Sequence, residues 1–410
     1  MTPSSDVCRR KWYGRTVVRY NTNGKLDQLS IAPLHTPRSL TYQSLMDQPN
    51  IITAIGAISG TSMDGIDVSI VETDGDAVVR PGPGRTYPYA PELRKALLDL
   101  IAHPDVAERE PLSDLEAAVT DAHASAIAAF MRDFAVARER VALVGLHGQT
   151  VFHRAERRFT RQLGIGARVA KTLGIDVVNR FRHADVAAGG EGAPFAPLYH
   201  RALAAKLPRP VMVLNLGGVG NVTYIDGETV IAFDTGPASA LIDDFMLRRR
   251  GLPYDEDGKL AASGTIDAGA LAELMRNPYF DRPAPKSLDR QDFHARAKIV
   301  ERLGDADGAA TLAAFTVESV VAALRHVPGK PKRWLVTGGG RHNRTFMRRL
   351  AERLGVPVEP VEAVGWNGDF IEAQCFGYLA VRSRRGLPLS LPTTTGVPRP
   401  LTGGEFWRAA

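Results

Sequence analysis

Apolar and polar positions first settle into a clear pattern near residue 51. An apolar run over 51–58 breaks into a small hydroxyl-rich turn, and a second run, alternating through Ile66, Val68 and Ile70, returns from it. That pattern predicts a β-hairpin over 51–75 with an unusually polar tip: Ser59, Gly60, Thr61, Ser62, Asp64 and Gly65. Helical periodicity follows at 91–103 and 114–139, and 141–146 reads as a buried strand ending in His147-Gly148-Gln149-Thr150. A helix around 166–173, a short strand at 175–178, a Gly-rich loop at 188–194 and a helix at 196–205 complete the first half.

The second half opens as the first does. A strand at 211–216 meets the turn Gly217-Gly218-Val219-Gly220, and a strand at 222–225 returns from it. Ile231-Ala232-Phe233 then runs into Asp234-Thr235-Gly236-Pro237, which is expected to open a helix over about 238–249. Long helices at 259–275 and 308–326 precede a strand at 334–336 and the triplet Gly338-Gly339-Gly340, and helices at 343–354 and 369–384 close the pattern. Such a weak internal duplication implies an α/β protein of two lobes, 46–205 and 206–410, with a cleft between them. Ligands of these sheets bind beyond the carboxyl ends of strands, where the Gly-rich turns fall.

At 410 residues the chain is long enough for two domains of ordinary size, and 44% hydrophobic with 23% charged residues is an ordinary globular composition. The net charge of +6 suggests a polyanion partner until it is located. Residues 1–45 hold seven Lys/Arg against Asp6 and Asp27, a net of +5, so the remainder carries about +1 and has no basic stripe. That leading segment has neither an apolar signal core nor a clean amphipathic period, and Met46 stands just before the first strand; 1–45 is expected to be a disordered tail or an overrun of the true start. No apolar run approaches the ~20 residues of a membrane span. Two cysteines, Cys8 and Cys375, suit a reducing compartment, and no Cys/His spacing resembles a zinc site.

The candidate chemistry lies in the turns. Glycines at a hairpin tip let backbone N–H groups close around an anion, with Asp64 and Asp67 supplying carboxylates for Mg²⁺ or a water beside phosphates. Asp234 to Pro237 offers a second anion site at a helix N-terminus, and Gly338 to Gly340 gives flat backbone that a base or ribose can approach. The chain has no P-loop signature, no Gly-x-Gly-x-x-Gly after the first strand and no Gly-x-Ser-x-Gly. Phosphate-type turns opening both halves favour a bilobal ATP-dependent sugar kinase.

With these motifs in view, the chain resembles the anhydro-N-acetylmuramic acid kinase family, within the hexokinase–actin–Hsp70 superfamily, over about 51–405. The resemblance rests on the 59–67 tip, His147-Gly148-Gln149-Thr150, Ala188-Gly189-Gly190-Glu191-Gly192-Ala193-Pro194, Asn215-Leu216-Gly217-Gly218, Asp234-Thr235-Gly236-Pro237, Pro285-Lys286-Ser287, Gly338-Gly339-Gly340-Arg341-His342-Asn343 and Gly368-Asp369-Phe370-Ile371-Glu372-Ala373. It implies a two-lobed sugar-kinase/actin-like ATPase fold with an interlobe cleft. The family opens the 1,6-anhydro ring of anhydro-N-acetylmuramic acid and phosphorylates O6, giving N-acetylmuramic acid 6-phosphate in cell-wall recycling. Carried onto this chain, Gly60, Thr61, Ser62, Met63, Asp64, Gly65, Ile66 and Asp67 bind ATP phosphates. Asp234, Thr235, Gly236, Gly338, Gly339 and Gly340 complete the nucleotide site. His147, Gln149 and Glu372 face the sugar, and Asp64 and Asp234 are the candidate ligands of the Mg²⁺ that accompanies ATP. The expected partners are an amino sugar and ATP, with no nucleic acid and no membrane, in a cytoplasmic enzyme; a homodimer is compatible with this reading.

One departure bears on mechanism. The family takes its general base from an Asp in an Asp-Phe-Arg triplet, and here the triplet is Arg180-Phe181-Arg182. A guanidinium cannot accept a proton near neutral pH, and general-base assistance is typically worth ~10²–10⁴ in rate. Glu191 replaces a usual Gln, Ala238-Ser239 a usual Gly-Asn and Phe195-Ala196 a usual Leu-Val, while Ile165 stands where an acidic or amide residue is common. Asp185 and Glu191 are the candidate substitute bases, with Arg180 expected to pair with Glu191. The alternatives are a pseudokinase that binds ATP without transferring it, and a kinase of a different sugar.

Overall fold

The computed structural model describes residues 50–60, 63–109, 111–288 and 293–409, and the backbone of three short strands nearer the N-terminus. Those strands, β1 (Trp12–Tyr13), β2 (Thr16–Tyr20) and β3 (Leu26–Ser30), pair antiparallel in the order β1-β2-β3 within a compact unit of residues 1–49. A second unit, Asn50–Ala410, holds everything else.

In that second unit the expected hairpin is β4 (Ile52–Ser59) with β5 (Gly65–Thr73), paired from Ile52 opposite Thr73 to Ile58 opposite Asp67. β6 (Val79–Pro88) adds antiparallel to β5, while β7 (Leu143–Arg154) lies parallel to β4. β8 (Phe159–Leu163) folds back on the outer part of β7, and β9 (Val177–Asn179) follows β7 in parallel. The path β6-β5-β4-β7-β9 is repeated by the other sheet. There β10 (Val211–Leu216), β11 (Val219–Asp226) and β12 (Thr229–Pro237) form the antiparallel meander, and β13 (Arg333–Thr337) and β14 (Val358–Pro360) the parallel extension, in the order β12-β11-β10-β13-β14. The duplication inferred from the turns is therefore a duplication of sheet topology.

Two features join the halves. Helix Ile371–Arg384, late in the chain, packs on β4, β5 and β7 of the first sheet, and β15 (Glu405–Trp407) pairs antiparallel with β9. Residues that follow the second sheet in sequence thus complete the first. Close approach is what the glycines there provide: a Cβ on Gly56 of β4 would lie 1.7 Å from the Ala373 carbonyl oxygen, and one on Gly145 of β7 2.0 Å from that of Phe376. The core between the sheets is continuous, running from Ala54 and Val71 through Tyr378 and Leu379 to Val211, Val213 and Leu335.

Local differences from the sequence pattern have identifiable causes. The single helix expected over 259–275 is two, Lys259–Ser263 and Ala268–Met275. Gly264 breaks it where a Cβ would meet the Ala306 carbonyl at 2.0 Å, and Asp267 caps the second helix by accepting from the Ala270 N–H. β7 continues past His147 to Arg154 because β8 supplies a second partner. Helix Asp305–Ala322, with its 3₁₀ extension to His326, is long and apolar enough to cross a membrane, but most of it is buried in the second half's core.

Candidate active site

The β4–β5 hairpin ends in a tight turn in which the Met63 N–H donates to the Gly60 carbonyl at 3.2 Å. Met63 adopts a positive φ of 51° and buries its side chain in the first sheet's core, as does Ile66. Thr61 and Ser62 lie outside the described residues. Nothing stands within 4 Å of a Cβ placed on Gly60, whereas Gly65 packs against the Tyr87 carbonyl. Asp64 is exposed and pairs with Arg94 at 3.1 Å. Asp67 accepts from Thr86 Oγ1 at 2.6 Å, and burial, followed by the charges of Glu372, Asp369 and Asp64, pushes its carboxyl up to about 6.

Gln149 is fully buried under this turn with Nε2 donating to the Gly60 carbonyl at 3.3 Å, so it supports the tip from below. His147, two residues earlier on β7, stacks 4.4 Å from the Phe376 ring. Its Nδ1 lies 3.0 Å from the Gly148 carbonyl and its Nε2 accepts from Arg182 Nε at 2.9 Å. Burial and the Arg182 charge hold it well below the usual histidine range.

The second half contributes the matching turn. Ser239 Oγ and N–H both donate to the Gly217 carbonyl, and the N–H groups of Ala238 and Ala240 donate to that of Gly218. Gly338, at φ 77°, sits where a Cβ would come within 2.3 Å of Asn215 Oδ1; Gly340 packs on Leu216, and Gly339 faces open space. Asn215 Nδ2 in turn donates to Glu372 Oε1 at 3.2 Å. The buried Arg341 ties this turn to the last helix, donating to Asp369 Oδ1 at 2.7 Å and to Glu362 Oε1 at 3.0 Å. Glu372, in the first turn of helix Ile371–Arg384, is open to water on one side and enclosed by protein on the others; that burial raises its carboxyl, against the lowering charge of Arg182.

Asp234 corrects an expectation. β12 stays paired with β11 through Pro237 opposite Val219, so Asp234 to Pro237 are strand residues and the helix opens only at Ala240. Thr235 and Gly236 are buried, Gly236 against Ser319 and Phe280. Asp234 accepts from the Leu288 N–H at 2.9 Å, and burial, then the Glu191 charge, raises its carboxyl to about 7. Its charged neighbours are Glu191 and Arg182, whereas Asp64 pairs with Arg94, so the two Mg²⁺ candidates have different partners.

The expected Arg180–Glu191 pair is absent. Arg180, at φ 53°, turns away and pairs with Glu405 of β15 at 3.1 Å, because β15 presents a carboxylate at the edge of β9. Glu191 instead accepts from Ser287 Oγ. Asp185 is buried with both oxygens engaged: Oδ1 accepts from the Gly192 N–H at 2.8 Å and Oδ2 from Thr395 Oγ1 at 2.6 Å, so it shapes the 188–194 loop. Sequence reading missed Arg182, which donates to His147 and to the Gly192 carbonyl at 2.6 Å, stacks 5.5 Å from the Phe195 ring and finds its strongest charge partner in Glu372. Its position two residues past Arg180 was the available signal.

The site therefore has two acidic groups, Asp64, Asp67, Asp369 and Glu372 around the tips and Glu191 with Asp234 beside the 285–288 segment, and the Arg182 guanidinium acts on Glu372 and Asp234 through its charge. Among the described residues no three His, Cys, Asp or Glu side chains form a closed metal nest. The carboxylates whose charges act on Asp67, those of Glu372, Asp369 and Asp64, fit a divalent cation that would take its remaining ligands from phosphates and water.

A family model for anhydro-N-acetylmuramic acid kinase matches residues 52–408. The chain is 52% identical to the protein of that name from Rhodospirillum rubrum, over 89% of this chain and 97% of that one. It is 50% identical to the one from Bradyrhizobium diazoefficiens, over 87% and 100%. Among solved structures, a ROK family glucokinase from Streptomyces griseus in complex with glucose and AMPPNP aligns at a TM-score of 0.38 and 15% identity, covering 80% of this chain and 99% of that one, a likeness too distant to bear on activity.

Proposed function

The chain belongs to the anhydro-N-acetylmuramic acid kinase family, and from that premise we propose that it uses ATP to open 1,6-anhydro-N-acetylmuramic acid and phosphorylate it at O6, with Glu191 in place of the family's base. The observation that carries this reading is the meeting of Asn215, Gly338 and Glu372, where the second half's turns and the final helix converge.

In this mechanism Gly60, Asp64 and Gly65 flank the phosphates, Gly338 to Gly340 face the nucleotide, and Glu372 binds the sugar. Asp64 and Asp67 would hold the Mg²⁺ that accompanies ATP, whose charge would offset that of the transferred phosphoryl group. The oxygen of a water molecule bonds to C1 as the C1–O6 bond breaks. The water's proton passes to Glu191, O6 bonds to the γ-phosphorus, and the bond from that phosphorus to ADP breaks. Burial and the Arg182 charge keep His147 neutral, and the same charge lowers the Glu372 carboxyl. Asp185, with both oxygens occupied, holds the loop rather than accepting the proton. As in the family, the setting is cytoplasmic cell-wall recycling, with an amino sugar and ATP as partners.

The test is a coupled assay of the protein with ATP, Mg²⁺ and 1,6-anhydro-N-acetylmuramic acid, with the sugar product read by mass spectrometry. N-acetylmuramic acid 6-phosphate is expected at an ordinary enzymatic rate. ATP binding with no product would favour the pseudokinase alternative, to which the outward turn of Arg180 lends weight, and a product from another sugar would reassign the substrate.

A further inference from the structure

Pro285-Lys286-Ser287 runs directly between the two acidic residues beyond Arg182, and successive residues of the segment hold them. The Lys286 carbonyl accepts from the Asp234 N–H at 2.9 Å, Ser287 Oγ donates to Glu191 Oε2, and the Leu288 N–H donates to Asp234 Oδ2 at 2.9 Å. Tyr279 completes the clamp, its hydroxyl donating to the Asp234 carbonyl at 2.6 Å.

What anchors the segment is an unusually buried lysine. Lys286 is only 3% exposed, and its ammonium donates to the backbone carbonyls of Tyr279 at 2.9 Å and Phe280 at 3.3 Å. It also lies 4.6 Å from the centre of the Tyr279 ring. A buried cation is tolerated only where such partners are in place, so its burial selects one conformation of the 285–288 segment relative to the 278–281 turn. A serine hydroxyl carried on a segment so fixed can hold a carboxylate to one rotamer.

We propose that Lys286 and Ser287 are positioning residues for the reaction: Lys286 locks the segment, and Ser287 turns the Glu191 carboxylate so that Oε1 faces the attacking water. Oε2 is occupied by the serine, and Oε1 makes no hydrogen bond among the described residues. Proton transfer to Oε1 then needs no rotation of the side chain. This inference rests on the reading of Glu191 as base and adds to it a source of orientation.

A double-mutant cycle separates the two. Product formation is measured for the full chain and for Ser287→Ala, Glu191→Gln and the double variant, with thermal melts and ATP binding confirming that each is folded. Ser287→Ala is expected to lower kcat ~10–10²-fold with KM for ATP unchanged, in line with the cost of misplacing a catalytic group. Glu191→Gln should lower it ~10²–10⁴-fold, and the double variant should be no slower than Glu191→Gln alone. Lys286→Met should fall with Ser287→Ala; where it fails to fold, the serine variant alone decides. Full activity in Ser287→Ala, or an equal loss in both backgrounds, overturns the positioning role while leaving Glu191 as base. An unimpaired Glu191→Gln, or a parent chain without product, overturns both.

Discussion

Arg182 Nε donates to His147 Nε2 at 2.9 Å, and this bond settles the state of a buried histidine. An imidazole nitrogen that accepts from a guanidinium carries no proton, so the proton sits on Nδ1, which faces the Gly148 carbonyl. A neutral ring in turn leaves the guanidinium charge free to act on Glu372, its strongest charge partner.

Arg182→Met should therefore lower product formation by ~10²-fold through loss of placement of His147 and the Gly192 loop. Since Arg182 is what lowers the Glu372 carboxyl against burial, its removal should also move that group's titration upward. A Glu372 carboxyl that titrates where the parent's does, followed by carbon NMR, would count against this account.

Arg180→Asp restores a carboxylate at the family's base position and dissolves an exposed pair with Glu405, worth at most ~1 kcal/mol. Combined with Glu191→Gln, it should recover ~10²–10⁴-fold in rate over Glu191→Gln alone. Rate measurements on the two variants side by side decide the point, and no recovery would mean that position 180 no longer addresses the reacting water.

Asp67 gives a pH-dependent stability effect whose sign follows from its raised carboxyl. The folded protein holds the proton up to about 6, above the ordinary 3.8, so the folded state binds more protons and stability falls as pH rises through that window. Above it the penalty is complete, at up to ~3 kcal/mol for a shift of this size. Asp67→Asn should raise the melting temperature at neutral pH, lose that advantage near pH 4, and weaken binding of ATP with Mg²⁺. A melting difference that is constant with pH would refute the assignment.

Gly56→Ala places a methyl group where the Ala373 carbonyl stands, and the helix carrying Glu372 must move to admit it. Overpacking of this kind typically costs ~1–3 kcal/mol. A lower melting temperature together with lost turnover is expected, and an unchanged crystal position of Glu372 would remove the link between the two.

Much of this architecture could be read along the chain because it is local. The period-2 alternation at Ile66, Val68 and Ile70 defines a strand whichever sheet receives it, and the Gly-rich turns at 59–65 and 217–220 mark where each half reverses. β15 and β14 escaped notice because their existence depends on an edge provided by distant strands. The break at Gly264 likewise depends on Ala306, which is remote in sequence.

The candidate site divides in the same way. The sequence by itself determined the duplicated halves and the residue types at the tips, because these are matters of pattern and composition, while the significance of an arginine at position 180 came only from the resemblance to a family that carries Asp there. Only the tertiary structure decided that Arg180 faces Glu405, that both Asp185 oxygens are engaged, that Arg182 donates to His147 and to the Gly192 carbonyl, and that Ser287 holds Glu191. Side-chain direction at a strand end or in a loop is set by whichever partner the fold brings within about 3 Å, and no short-range signal in the chain encodes that partner.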